Sequence, residues 1–319
     1  MRLLVAVDTI KTVEIVLKAI EARAWPKGTE ADVLSVVEDE TIPAETWRTE
    51  GYGLNAVRRE MRRRGEQVSA LAIERLRAMG IPAQVTIMRG DPAFLIPFAA
   101  QNLSSDLILI RANNRMDFRN WLLGSVAKSV VEYAECSVEV VRAPTTASNE
   151  RSGMRILLAT DAALAASQAV AEMKFAEDTE VKVVSVVNPI RYSLDEIGLS
   201  RGKESDRAHH AIGQALNVLR SAPLKLTAEV VSGSRVRQIL ARAKDWNADL
   251  IIVGDEERSG LKRLMSRGTA VGVANRAHCS VTVVRRKNAS REKQLPPSRL
   301  KSEPDAGAEY RLNRLSNAA

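Results

Sequence analysis

Short apolar runs alternate with longer amphipathic stretches along most of the chain. Residues 3–7 are apolar at every position, as in a strand covered on both faces. Residues 12–24 carry Val13, Val16, Leu17 and Ile20 at helical spacing. The same reasoning predicts a strand at 33–37 and a long helix that ends at Met79, before the breakers Gly80 and Pro82. Further on it predicts a strand at 83–88, a short helix at 92–102 with Pro92 near its start, and a strand at 107–110. A helix at 124–134 and a fifth strand at 138–142 close the series. Strands and helices alternating in this way predict a doubly wound α/β layer with a five-stranded parallel sheet.

The order then repeats. Strands are predicted at 156–159, 181–187, 227–231, 250–253 and 281–284, with helices at 165–175, 204–219, 236–244 and 269–276. Asp106-Leu-Ile-Leu-Ile-Arg111 and Asp249-Leu-Ile-Ile-Val-Gly254 lie 143 positions apart. Gly90 and Gly233, Cys136 and Cys279, and Arg142 and Arg285 keep that offset without a gap. A constant offset points to tandem duplication of a whole domain. The expected organisation is a first domain at 1–143, a polar linker at 144–153 and a second domain at 154–286. Residues 287–319 are rich in Lys, Arg, Ser, Pro and Asn and predict a disordered C-terminal tail.

Composition narrows the function classes. Apolar content of 45% and charged content of 27% fit a globular protein. No apolar run approaches the roughly eighteen residues of a membrane span. The first strand meets Asp8 too early for a signal-peptide core, so the cytoplasm is the expected compartment. The net charge of +8 is partly local, with Arg58, Arg59, Arg62, Arg63 and Arg64 crowding one helical segment. Aromatic residues make up only 4%, too few for a base-stacking platform, which argues for a solvated basic face over a nucleic-acid surface. The two cysteines precede apolar runs at equivalent positions and read as buried filler. His209 and His210 are adjacent and diverge by about 100° on a helix, and His278 stands alone, so no metal site is expected. Neither a P-loop nor a G-x-S-x-G elbow is present, against a conventional ATPase or hydrolase.

Ligands of an open parallel sheet sit at the carboxyl ends of its strands. Asp8 and Asp161 end the two first strands there. Each reads equally as a contact to a ribose hydroxyl or adenine amine and as a helix cap. Leu3-Leu-Val-Ala-Val-Asp8 and Ile156-Leu-Leu-Ala-Thr-Asp161 match one end of a known pattern; Ser137-Val-Glu-Val-Val-Arg142 and Ser280-Val-Thr-Val-Val-Arg285 match the other. On these motifs each half resembles a universal stress protein domain, whose fold is of the adenine nucleotide alpha-hydrolase-like, Rossmann-like type.

The resemblance implies a stress-response or signalling module. In its ATP-binding branch, a G-x2-G-x9-G-[ST] motif wraps the phosphates. Here that motif is altered twice. Arg111 and Asn114 occupy the two leading glycine positions of the first half, and Gly124-Ser125 survives, with Arg115 and Arg119 in the same loop. In the second half Gly254 survives and Glu257 takes the next glycine position. A one-residue slip there supplies Gly268-Thr269, and Asp255, Glu256 and Glu257 would repel a triphosphate.

The nucleotide-contacting positions implied are Asp8, Val37, Arg111, Asn114, Gly124 and Ser125, then Asp161, Val187, Gly254, Gly268 and Thr269. ATP or a related adenine nucleotide in at least one half is the expected ligand. Three readings stay open: a nucleotide-responsive module without efficient catalysis, a weak ATPase or phosphotransferase, and a scaffold that has lost its nucleotide. Partners expected are an intramolecular pseudo-dimer through the fifth strands, further homo-oligomers and an unidentified protein.

Overall fold

The structure is a computed structural model that describes residues 1–38, 54–112, 123–143, 153–161, 164–176, 178–187, 203–255 and 261–285. Of residues 54–58, 203 and 261–267 it describes the backbone alone. The expected linker, apart from Gly153, and the expected tail lie outside these residues, as do Asn113, Asn114, Arg115, Arg119, Glu256 and Glu257.

The first half runs β1 (Arg2–Ala6), α1 (Ile10–Glu21), β2 (Glu30–Val37), α2 (Leu54–Ala78), β3 (Ala83–Arg89), α3 (Pro92–Asn102), β4 (Leu107–Arg111), α4 (Ser125–Tyr133) and β5 (Ser137–Val141). The second half runs β6 (Arg155–Ala159), α5 (Leu164–Glu172), β7 (Glu180–Val187), α6 (Lys203–Leu219), β8 (Lys225–Ser232), α7 (Arg235–Asp245), β9 (Leu250–Gly254), α8 (Leu261–Arg276) and β10 (Ser280–Val284). All ten strands join one sheet in the order β3-β2-β1-β4-β5-β10-β9-β6-β7-β8. Within each half every pairing is parallel. The halves meet where β5 and β10 pair antiparallel, Val281 opposite Val140 and Val283 opposite Val138. The expected pairing of the halves through their fifth strands is therefore present, and it fuses two five-stranded sheets into one.

Burial explains the strand sequences. β1, β4, β6 and β9 lie inside the sheet with helices on both faces, and their apolar runs are almost wholly buried. β3 and β8 form the outer edges, and there polar residues such as Gln84, Thr86, Lys225 and Glu229 alternate with apolar ones. Val138, Val140, Val281 and Val283 are fully buried by the central pairing. Each side chain so buried contributes about 1.5–3 kcal/mol.

The two faces of the sheet differ. On one, α3, α4, α7 and α8 cover a single apolar core that crosses the seam and includes Val130, Val138, Val140, Val273, Val281 and Val283. On the other, α1 and α2 cover one core and α5 and α6 another. Two polar side chains, Glu139 and Thr282, face each other where those cores part.

One element departs from the sequence expectation. The last helix was expected over 269–276; α8 instead starts at Leu261. Gly268 and Thr269 therefore lie inside the helix and do not open it. The stretch Leu261-Lys-Arg-Leu-Met-Ser-Arg267 consists largely of good helix formers, and one interior glycine costs only about 1 kcal/mol.

Candidate functional site

The parallel order places the ends of β1 and β4 and the start of α4 on the same edge of the first half. Asp8 follows β1 and is exposed. Thr9 is the N-cap of α1, its hydroxyl accepting from the Thr12 amide at 3.2 Å. The Thr9 hydroxyl donates to Asp8 Oδ1 at 3.2 Å, and the hydroxyl of the buried Thr12 donates to the same oxygen. Arg111, at the end of β4, directs Nη1 at Thr12 Oγ1 from 3.5 Å. Asp8, Thr12 and Arg111 thus form one connected cluster. The capping role belongs to Thr9, and Asp8 is an acid held beside the cap. The sequence signal for this cluster is the pair of hydroxyls one and four positions after Asp8, Thr9 and Thr12.

α4 opens at Gly124, which takes an extended conformation (φ −63°, ψ 156°). With no side chain, Gly124 gives the first turn no cap, whereas the N-caps of α1 and α3, Thr9 and Asp91, each accept from a first-turn amide. Ser125 is exposed at the first helical position. Just before it, the Leu123 amide donates to Asn275 Oδ1 at 3.1 Å, so a side chain of α8 in the second half holds the entry to α4. Uncapped amides at a helix start attract anions.

Val37 and Val187 end β2 and β7, and their carbonyls accept from the Gly90 and Gly233 amides at 3.0 and 3.1 Å. Both glycines have positive φ, 136° and 142°, which the turn into α3 and α7 requires. At Gly233 an added Cβ would also meet Gln238 Nε2 at 2.6 Å.

The second half is arranged differently. Asp161 is exposed, and the position equivalent to Thr12 is Ala165, which has no hydroxyl. Gly254 ends β9 half-exposed. Asp255 is nearly buried, and its Oδ2 accepts from Arg285 Nε and Nη2 at 2.9 and 2.7 Å. Its charge is matched by an arginine, which corrects the expectation that it would repel a phosphate. Gly268-Thr269 lies within α8 and presents no helix start.

Arg285 and Arg142 also cross the seam reciprocally. Arg285 donates to the carbonyls of Val131 and Ala134 (2.9 Å for the latter) at the end of α4. Arg142 donates to the carbonyl of Ala274, in the last turn of α8, at 2.7 Å and to that of Cys279 at 3.2 Å. Guanidiniums at helix C-termini satisfy carbonyls that the helix leaves open. The position equivalent to Asp255 in the first half is Ala112, so Arg142 has no matching carboxylate there, and burial pushes it down to about 10. Burial raises the Cys279 thiol to about 12, in keeping with inert filler.

The fold, the ends of β1 and β4 and the twofold repeat converge with a family comparison. The universal stress protein family model matches residues 1–142 and again 154–285. The chain belongs to the universal stress protein family. A universal stress protein from Archaeoglobus fulgidus is similar at 22% identity, with a TM-score of 0.56 over 89% of this chain and 96% of that one. A protein of unknown function from Pseudomonas aeruginosa PAO1 is similar at 16% identity, with a TM-score of 0.54 over 90% and 92%. At these identities the likeness is one of fold. A universal stress protein solved in complex with cAMP is similar at 19% identity over 42% of this chain and 97% of that one, with a TM-score of 0.33. Among the described residues no helix is long and apolar enough to cross a membrane, and no cluster of His, Cys, Asp and Glu is suited to a metal ion.

Proposed function

We propose that this universal stress protein binds an adenine nucleotide, ATP or a relative of it, at the carboxyl edge of its first half and acts as a binding module. The observation that carries this reading is the uncapped start of α4 at Gly124, on the same edge as Asp8 and Arg111. The helix start would take the phosphates, Arg111 would offset their charge and Asp8 would recognise the sugar or base. The second half, where Gly268-Thr269 lies inside a helix, is the weaker candidate. A single carboxylate at the end of each first strand suits recognition better than metal-dependent phosphoryl transfer, which needs designated metal ligands. Signalling then proceeds through contacts with a protein partner, and turnover stays near background.

The test is mass analysis of ligand released from freshly purified, denatured protein, followed by titration with ATP and cAMP as probes. Gly124→Val should reduce binding by blocking close approach of the backbone. Gly268→Val should matter less. Equal losses, or loss only from the second change, would reverse the assignment of halves. Sustained hydrolysis with magnesium that disappears in Asp8→Asn, with folding and binding intact, would replace the binding module with an enzyme.

A further inference from the structure

The seam between the halves lies on a pseudo-twofold axis whose two sides differ in chemistry. Glu139 lies opposite Thr282 in the β5–β10 ladder, and these residues are 143 positions apart, the offset that relates the repeats. Equivalent residues face each other only on the axis. A second contact on the axis is the antiparallel bridge between Ala24 and Lys174, 150 positions apart, the offset that carries Glu30 of β2 onto Glu180 of β7. Beside it, Arg23 Nη1 lies 3.9 Å from Sδ of its equivalent, Met173. At matched positions the first half therefore presents Arg23 and Glu139, and the second half Met173 and Thr282.

Arg23 and Glu139 form an ion pair at 2.5 Å, each side chain only 2% exposed. Glu139 Oε2 also accepts from the Thr282 hydroxyl at 3.0 Å. The Arg23 guanidinium sits 4.7 Å from the centre of the Trp25 ring. All the buried charge comes from one half, while the other supplies one hydroxyl donor and a polarisable apolar side chain, its Lys174 at the bridge being exposed.

We infer that this one-sided ion pair makes the fifth-strand edge of the first half selective for a partner of the second-half type, which buries no charge on the axis, and hostile to a second copy of itself. Were two first halves to meet across the same axis, Glu139 would lie opposite Glu139 without the Thr282 hydroxyl. Arg23 would also stand where Met173 now meets it, bringing two guanidiniums together. Like charges directly opposite in a ladder are destabilising, and more so when buried. Specificity of this kind comes from penalising the wrong pairing. An apolar edge that would otherwise accept the equivalent edge of any neighbouring chain is thereby reserved for its own second half.

Two variants of the full chain test this. Met173→Arg with Thr282→Glu reproduces within one molecule the buried charges of two first halves facing each other. Arg23→Met and Glu139→Thr added to that pair move the ion pair intact to the other side of the axis. Size-exclusion chromatography with light scattering and thermal unfolding provide the readouts. The four-residue exchange should stay monomeric and melt within a few degrees of the unaltered chain. The duplicated variant should melt lower by roughly 10 °C or associate into larger species. A duplicated variant as stable and monomeric as the unaltered chain would overturn the inference, because the position of the charges relative to the axis would not matter. An exchange variant as damaged as the duplicated one would also overturn it, because the two sides would not be equivalent.

Discussion

Replacing Arg285 with methionine should be far more damaging than the same change at Arg142, although the two are equivalent by repeat and both reach across the seam to a helix end. Arg285 and Asp255 are 7% and 9% exposed, and the pair is joined by two hydrogen bonds. Removing the cation leaves a nearly buried carboxylate without its partner, a loss of about 3–5 kcal/mol. The carbonyls of Val131 and Ala134 lose their donor as well. Arg142→Met strands no carboxylate. It loses hydrogen bonds to Ala274 and Cys279, at about 1–3 kcal/mol for bonds to a charged group. It also relieves the burial that pushes the Arg142 guanidinium down to about 10. That relief opposes the lost hydrogen bonds, so the net loss should be smaller than for Arg285→Met, about 0–2 kcal/mol.

Urea unfolding of the two variants alongside the unaltered chain measures the difference directly. Adding Asp255→Asn to Arg285→Met should recover much of the loss, since it removes the stranded charge. Equal destabilisation by the two single changes, or no recovery in the double variant, would refute the assignment of the cost to Asp255.

Asp32 is buried in β2 beside Gln84, and burial raises its carboxyl above the ordinary value of 3.8. A folded-state pKa above the unfolded one means stability is lost as pH rises through it. Asp32→Asn should therefore stabilise the protein at pH 7, with the gain vanishing as the pH falls below 3.8; denaturant midpoints across that range check it, and a constant gain would contradict it. Asn275→Ala removes the acceptor of the Leu123 amide and should weaken nucleotide binding in the first half about 2- to 10-fold by loosening the entry to α4. Calorimetric titration with ATP checks this, and unchanged affinity in a folded variant would show that α4 is held without it.

The α/β order and the joining of the halves were legible in the sequence because buried parallel strands leave unbroken apolar runs, as in Ile108 and Ile251. Repetition at a fixed offset then marked β5 and β10 as equivalent edges. What the sequence concealed depends on partners distant along the chain. Nothing near Asp255 announces that Arg285 neutralises it, and Glu139 in an apolar strand gives no sign of Arg23. The start of α8 is hidden in the sequence because Gly268 resembles a boundary, whereas the residues before it favour helix. At the candidate site Asp8, Arg111 and the Gly124-Ser125 start were legible from motif position, but Thr12 and Asn275 entered only with the three-dimensional arrangement.

Because β5 and β10 run in opposite directions, the carboxyl edge of one half and that of the other lie on opposite margins of the ten-stranded sheet. The molecule is two-headed, with its heads pointing apart. A ligand held on the Asp8 margin would leave the Asp161 margin open. Any cross-talk between the margins has to pass through the seam, where Asn275, Arg142 and Arg285 tie each half to the closing helix of the other.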